Sequence, residues 1–161
     1  MPAPAGKRGP AQVKATWVSK ASVTLHMASP PDSLRLRCVH HLAIICADYA
    51  VSKQFYTEVL GLEIIREVHR AARDSYKLDL AVNGQYVIEL FSFPTPPPRL
   101  SRPEATGLRH LAFAVADLEA ARQHLAAHGV ACEPVRVDEL TGRRFTFFQD
   151  PDGLPLELYE G

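Results

Sequence analysis

A ten-residue phrase occurs twice in this chain, and it constrains the fold more than any other feature. The first copy, VHHLAIICAD, covers residues 39–48, and the second, LRHLAFAVAD, covers residues 108–117. Each phrase is an apolar run that opens on a histidine, and 69 positions separate His41 from His110. An internal repeat at a fixed interval predicts two copies of one supersecondary unit.

The similarity continues into a helix after each phrase. Asp48 and Asp117 are both placed to cap a helix N-terminus, and Gly61 and Gly129 to end it. The expected apolar faces are spaced at three- and four-residue intervals; they comprise Val51, Phe55 and Val59 in the first helix and Leu118, Ala121 and Leu125 in the second.

Three runs typical of β-strands follow each helix. They are EIIREV, SYKLDLAV and QYVIELF in the first half, and VACEPVRV, RRFTFFQ and LPLELY in the second. Asn83-Gly84 is a strong hairpin signal, and the turn DPDG precedes the last run. The sequence therefore predicts an α+β fold of two βαβββ modules, residues 37–92 and 108–161, forming a curved mixed sheet around a cleft. A proline-rich linker, residues 93–107, joins them.

Composition argues against some classes of protein. Eighteen basic residues balance eighteen acidic ones, which argues against a nucleic-acid partner, and no apolar run is long enough to span a membrane. Residues 1–36 are rich in proline and are predicted to be a flexible tail, with translation starting at either Met1 or Met27. Three scattered cysteines suggest no disulfide framework. We expect a cytoplasmic protein.

Strand alternation places four polar side chains on the face away from the helices. They are His41, Glu89, His110 and Glu157, one histidine and one glutamate from each module. Nitrogen and oxygen ligands of this kind suit Zn²⁺, Ni²⁺, Co²⁺, Fe²⁺ or Mn²⁺, with positions left open for a substrate that has two neighbouring oxygens. Such an ion would stabilise a developing enediolate. A single strand histidine is more often structural, as we expect for His40, but the repeat favours a site for the matched four.

Four segments carry a resemblance to a known family: HHLAIICADYAVSKQFYTEVLGLE, YVIELF, GLRHLAFAV and FTFFQDPDGLPLELYE. Residues 37–161 resemble the vicinal oxygen chelate superfamily, and within it the bacterial glyoxalase I type and small glyoxalase-like proteins. The resemblance implies one divalent metal per site, most often Ni²⁺, Zn²⁺ or Co²⁺, bound by His41, Glu89, His110 and Glu157. It implies that Glu157 moves a substrate proton, with Glu89 as a second candidate, and that the protein is a homodimer.

The chain departs from glyoxalase I where that enzyme holds glutathione. Ile45 stands where the family places an arginine, and Phe93 where it places an asparagine. Apolar side chains cannot satisfy a glutamyl carboxylate, which weighs against glutathione but leaves an anionic substrate open. The basic residues predicted to contact substrate are Arg70, Arg73, Lys77, Arg143 and Arg144.

The function predicted is therefore a metal-dependent lyase or isomerase, similar to lactoylglutathione lyase, acting on a small α-hydroxycarbonyl of hemithioacetal type. One alternative is a CoA-ester epimerase of the same superfamily. Another is a non-catalytic small-molecule binder like the bleomycin-binding relatives, which typically lack the metal residues. Iron dioxygenases and fosfomycin-modifying transferases use three ligands, so Glu89 argues against both.

Overall fold

The computed structural model of the chain describes residues 34–161, and Cys38–Gly161 forms one unit in which the order of elements occurs twice. The first module contains β1 (Leu42–Cys46), α1 (Tyr49–Gln54), β2 (Glu63–Arg70), β3 (Ser75–Val82) and β4 (Gln85–Ser92). The second contains β5 (Leu111–Val115), α2 (Leu118–Ala127), β6 (Arg136–Val137), β7 (Arg144–Gln149) and β8 (Pro155–Glu160). Nearly all of the predicted N-terminal tail, including Met27, lies outside the described residues.

Each module forms a four-stranded mixed sheet, in the order β1-β4-β3-β2 and β5-β8-β7-β6. The first strand of each module pairs in parallel with the last, because a helix crosses between them, and the other pairs are antiparallel. The predicted α+β class with two βαβββ modules is confirmed. The strands are divided between two sheets, one for each module.

The predicted helix starts are confirmed at both aspartates. The side chain of Asp48 accepts a hydrogen bond from the backbone N–H of Val51 at 3.1 Å, and that of Asp117 from Ala120 at 3.0 Å. These bonds satisfy amide groups that have no partner within the helix. The repeated aspartate therefore has a structural role in both modules.

The apolar face predicted for the first helix is partly wrong. A π-helical segment, Phe55–Val59, continues α1, and the buried residues are Ser52, Phe55 and Tyr56, whereas Val51 is 50% exposed. Phe55 N–H bonds Val51 O as in an α-helix, so these residues are one turn apart, but the buried face is centred on Ser52, Phe55 and Tyr56 and leaves Val51 at its exposed edge. The second helix buries Leu118 and Leu125 as predicted.

The strand predicted at VACEPVRV is also shorter than expected, since only Arg136–Val137 pairs regularly. Pro134 has no N–H to donate to a neighbouring strand. The segment is instead tied to β7 by bonds at Glu133, whose N–H donates to Phe147 O and whose carbonyl accepts from Thr146 Oγ1, both at 2.7 Å.

One apolar core lies behind both sheets and includes residues of α1, α2 and six strands. In β1, Ile44 and Cys46 are buried in it while Ile45 is 56% exposed on the other face, as strand alternation requires. Tyr56 donates a buried hydrogen bond of 2.8 Å to Asp150 of the DPDG turn, which links the two modules. No helix in the described part of the chain is long and apolar enough to cross a membrane.

Candidate metal centre

The first module brings His41 and Glu89 together on the face turned away from the core. His41 directly precedes β1, and Glu89 lies on β4 opposite Ala43. His41 Nε2 and Glu89 Oε2 are 3.3 Å apart. We call this pair half-site 1.

The second oxygen of Glu89 is held by two donors. Lys77 Nζ lies 2.5 Å from Glu89 Oε1, and the hydroxyl of Tyr86 donates to the same oxygen at 2.5 Å. Burial acts to raise the pKa of Glu89, but these two hydrogen bonds outweigh it and lower the pKa. Glu89 is therefore a fixed, ionised carboxylate.

Asp79 completes a charged network beside this pair. Arg66 donates to Asp79 Oδ2 from Nε at 2.9 Å and from Nη2 at 2.5 Å, and Lys77 Nζ lies 2.7 Å from Oδ1. Asp79 is only 2% exposed, so burial acts to raise its pKa, yet the bonds from Lys77 and Arg66 lower it. The buried charge is thus compensated on both oxygens.

The His41 ring contacts His40 and Tyr86. Its Nδ1 lies 2.8 Å from Nδ1 of His40, and its ring stacks on Tyr86 with a centroid separation of 5.3 Å and an angle of 22°. Both residues of half-site 1 are therefore in contact with Tyr86.

The second module repeats the pair but not its surroundings. His110 Nε2 and Glu157 Oε2 are 3.0 Å apart, with Glu157 on β8 opposite Ala112. We call this pair half-site 2. The wall beside it is aromatic: Phe147 lies edge-on to His110 at 5.1 Å, and Phe145 stacks with Tyr159.

Few polar groups of the described residues contact half-site 2. Within residues 34–161, no donor other than His110 reaches the Glu157 carboxylate, and His110 Nδ1 is buried without a hydrogen-bond partner. Arg136 covers the aromatic wall, with its guanidinium 5.2 Å from the centre of Phe145 and 5.0 Å from that of Phe147. A cavity of about 260 Å³ opens between His110, Arg136 and the end of the linker.

The spacing within each pair fits two ligands of one cation. Metal–nitrogen and metal–oxygen bonds of about 2.0–2.2 Å place neighbouring ligand atoms roughly 3.0–3.5 Å apart. The two pairs do not gather into one cluster, because no three histidine, cysteine, aspartate or glutamate side chains of the described chain converge on a metal position. A single chain thus presents two separate half-sites.

The five basic residues predicted to contact substrate lie in different places. Lys77 bonds Glu89, and Arg70 lies on the same sheet with its guanidinium 4.8 Å from the centre of the Phe91 ring and 5.5 Å from that of Phe93. Arg73 is exposed in a short 3₁₀ helix, Ala71–Arg73, and Arg143 is exposed in the loop before β7. Arg144 pairs with Glu160 at 2.5 Å. Alternation along β8 puts Glu160 on the face opposite Glu157.

Sequence reasoning missed the residues that surround half-site 1: Tyr86, Asp79, Arg66 and His40. Asp79 and Lys77 alternate with Leu78 and Leu80 in SYKLDLAV, which was a signal for a polar face on β3. No comparable signal marked Tyr86, because its contacts with His41 and Asp79 depend on the pairing of β4 with β1 and with β3.

Comparison with known proteins agrees with this architecture. The family model that matches the chain describes the Glyoxalase/Bleomycin resistance protein/Dioxygenase superfamily, and it covers residues 39–158. The chain therefore belongs to this superfamily, as its sequence resemblance predicted.

Particular relatives are similar over the same region. The uncharacterized protein YaeR of Escherichia coli is 68% identical over 127 residues, which are 79% of this chain and 98% of YaeR. The uncharacterized protein YwkD of Bacillus subtilis is 62% identical over 125 residues, 78% and 98% of the two chains. A crystal structure of a glyoxalase family protein from Enterococcus faecalis is 48% identical with a TM-score of 0.72, covering 77% of this chain and 98% of that one.

Two more distant relatives have named activities. A 2-epi-5-epi-valiolone epimerase from Actinomyces is 33% identical over 141 residues, 74% of this chain and 77% of that protein. The trypanothione-dependent glyoxalase I of Leishmania major is 26% identical with a TM-score of 0.59, covering 78% of this chain and 87% of that chain.

Proposed function

We propose that the protein is a metal-dependent lyase or isomerase of the glyoxalase I type, acting on a small anionic α-hydroxycarbonyl compound. His41, Glu89, His110 and Glu157 would bind one divalent cation, Ni²⁺, Zn²⁺ or Co²⁺. When bound, the cation would act as a Lewis acid that stabilises negative charge developing on two neighbouring substrate oxygens. The relatives with named activities support a reaction that moves a proton next to a carbonyl group.

The observation that carries this proposal is the repeated pairing of a histidine nitrogen with a glutamate oxygen. The two separations, 3.3 and 3.0 Å, occur at matched positions of the two sheets. An isolated buried carboxylate is costly, and the same arrangement in both modules is difficult to explain as two independent structural ion pairs.

A second copy of the chain would complete the site. Within residues 34–161 the two half-sites do not form one cluster, so a four-ligand centre would need half-site 1 of one copy opposite half-site 2 of its partner. Apolar side chains on the face of half-site 1 support a covered surface, since Ile45 is 56% exposed and Val68 is 40% exposed. The expected assembly is a homodimer with two equivalent sites.

The two glutamates are suited to different roles. Lys77 and Tyr86 hold Glu89, which makes it a permanent ligand. Glu157 has only the contact with His110 among the described residues, so it is free to leave the ligand position. Glu157 would then take a proton from the hydroxyl-bearing carbon of the substrate and return it to the neighbouring carbon.

Arg70 is the basic residue best placed to bind the anionic end of the substrate. Lys77 and Arg66 are already paired with carboxylates, whereas Arg70 has no acidic partner within the part of the chain that the structure describes. It lies over Phe91, two residues along β4 from Glu89 and on the same face. A flat guanidinium on an aromatic surface is suited to a carboxylate.

The test is turnover by protein loaded in turn with Ni²⁺, Co²⁺ and Zn²⁺. The substrates are hemithioacetals of methylglyoxal with glutathione and with smaller anionic thiols, because Ile45 and Phe93 remove the expected glutathione contacts. We expect metal-dependent turnover that a chelator abolishes and added metal restores. A protein that binds metal but converts none of these substrates would contradict the proposed activity.

An epimerase is the second candidate, favoured by the similarity to the Actinomyces epimerase. An epimerase removes and returns a proton at one carbon, which two carboxylates on opposite sides of a substrate can do; a CoA ester is one possible substrate. Deuterium uptake from heavy water into a CoA ester, without conversion of hemithioacetals, would select this reaction.

A further inference from the structure

We infer that His40 and Tyr86 are positioning residues that keep half-site 1 ready for the metal, whereas half-site 2 has no such support. This inference rests on the proposed metal site. It concerns two residues to which the repeat assigned no function, and it begins with the orientation of the His41 ring.

His41 can bind a cation through Nε2 only when the proton of the neutral ring is on Nδ1. The partner of Nδ1 therefore decides how well Nε2 is presented. That partner is Nδ1 of His40, 2.8 Å away. An imidazole nitrogen can accept a hydrogen bond in one tautomer and donate in the other. His40 can thus bond His41 both when Nε2 binds metal and when Nε2 donates to Glu89.

Tyr86 contacts both residues of the pair. Its ring stacks on His41, and its hydroxyl donates to Glu89 Oε1, which leaves Oε2 directed at His41 Nε2. The Tyr86 ring also lies edge-on to His40, with a centroid separation of 5.1 Å. Tyr86 therefore contacts His40, His41 and Glu89. Lys77 also holds Glu89, but Tyr86 contacts both residues of the pair and so links the position of one to that of the other.

The second module provides the contrast. Arg109 stands where the first module has His40, and its guanidinium bonds Glu104 at 3.1 Å. Arginine cannot accept a hydrogen bond, and within residues 34–161 His110 Nδ1 is buried without a hydrogen-bond partner. Leu154 stands where the first module has Tyr86, so no hydroxyl reaches Glu157 from that position. The structure thus distinguishes a supported half-site from an unsupported one.

The experiment measures the dissociation constants of Co²⁺ and Zn²⁺ by calorimetry for full-length wild type and for His40→Ala, His40→Asn and Tyr86→Phe. Arg109→Ala is the matched control from the second module. Loss of a group that orients a metal ligand typically costs about 10–100-fold in affinity. We expect losses of that size for His40→Ala and Tyr86→Phe, partial recovery in His40→Asn, and no change in Arg109→Ala.

A second readout separates positioning from folding. The visible spectrum of bound Co²⁺ should change in His40→Ala and Tyr86→Phe but not in the control, while circular dichroism stays that of wild type. Wild-type affinity in His40→Ala overturns the role of His40, and wild-type affinity in Tyr86→Phe that of Tyr86. Wild-type protein that binds neither metal overturns the proposed site together with this inference.

Discussion

The two modules have the same backbone plan and the same histidine–glutamate pair, but different neighbours. Opposite Glu89, β3 carries Asp79, and opposite Glu157, β7 carries Phe147. Two residues earlier along each of these strands, Lys77 of β3 corresponds to Phe145 of β7. A charged, hydrogen-bonded setting therefore surrounds one carboxylate and an aromatic setting the other.

This difference is the basis for proposing two roles for one repeated motif. A carboxylate held by Lys77 and Tyr86 cannot easily rotate or accept a further proton, because both changes break charge-assisted bonds. A carboxylate beside phenylalanines loses no comparable bonds when it moves. In the proposed function, the fold would supply the paired ligands, and the adjacent strand would decide which ligand stays in place.

The largest effect on activity should come from replacing the carboxylates of Glu157 and Glu89, one at a time, with amides. Glu157→Gln should lower kcat by about 10²–10⁴-fold at saturating metal, since it removes the proposed proton carrier. Glu89→Gln should act mainly by weakening metal binding, so that excess metal restores part of its activity. The kcat of each variant is measured by steady-state kinetics at increasing metal concentrations.

Glu160→Gln is the matched control, because Glu160 lies three residues along the same strand and pairs with Arg144. It should leave kcat unchanged. Equal behaviour of the Glu89 and Glu157 variants would remove the distinction between the two half-sites.

The next effect concerns stability. Asp79→Asn should lower the free energy of unfolding by about 1.5–3 kcal/mol, because it weakens hydrogen bonds to charged partners. Phe147→Leu at the matched position of β7 should cost less than about 1.5 kcal/mol, as apolar exchanges of similar volume do. Urea denaturation at neutral pH measures both values.

The Asp79→Asn and Phe147→Leu variants should also differ in how their stability depends on pH in acid. The pKa of Asp79 is lower in the folded chain than its ordinary value of 3.8, so its contribution is complete above that value and is lost as pH falls toward the folded pKa. Asp79→Asn should lack this component of the pH dependence, and Phe147→Leu should retain it. The same acid profile in wild type and Asp79→Asn would contradict the network.

The smallest effect is expected at Arg70. Arg70→Met should raise the KM of an anionic substrate about tenfold with little change in kcat, since it removes one partly exposed charged contact. Arg73→Met, three residues away in an exposed 3₁₀ helix, should leave KM unchanged. If both variants behave as wild type, the anionic end of the substrate binds elsewhere.

Much of the backbone was predictable, because it depends on local signals. Strand β3 occupies the predicted residues, and Asn83-Gly84 forms the predicted hairpin with φ angles of 50° and 72°, which these two residue types tolerate. The errors arose where a local rule was overridden. In the first helix the buried face is centred on Ser52, Phe55 and Tyr56 rather than on Val51, and Pro134 interrupted the strand before β6.

The candidate site was predictable only in part. Parity along the strands placed each histidine with its glutamate, but the sequence left open whether one chain or two copies would supply all four ligands. Within residues 34–161 the two pairs do not form one cluster. The setting of half-site 1 comes from the cross-strand contact of Lys77 on β3 with Glu89 on β4, and from the contact of Tyr86 with Glu89 along β4 itself. These contacts depend on register and on a bulge between Leu80 and Ala81, which a single sequence does not specify.

The most direct test of a centre shared between two copies mixes two inactive variants. One carries His41→Ala with Glu89→Ala, and the other His110→Ala with Glu157→Ala; neither binds metal tightly alone. After subunit exchange, each heterodimer should contain one intact centre, so the mixture should recover about a quarter of the wild-type metal content and activity. If wild type binds metal but the mixture recovers none, the four ligands do not meet across two copies of the chain.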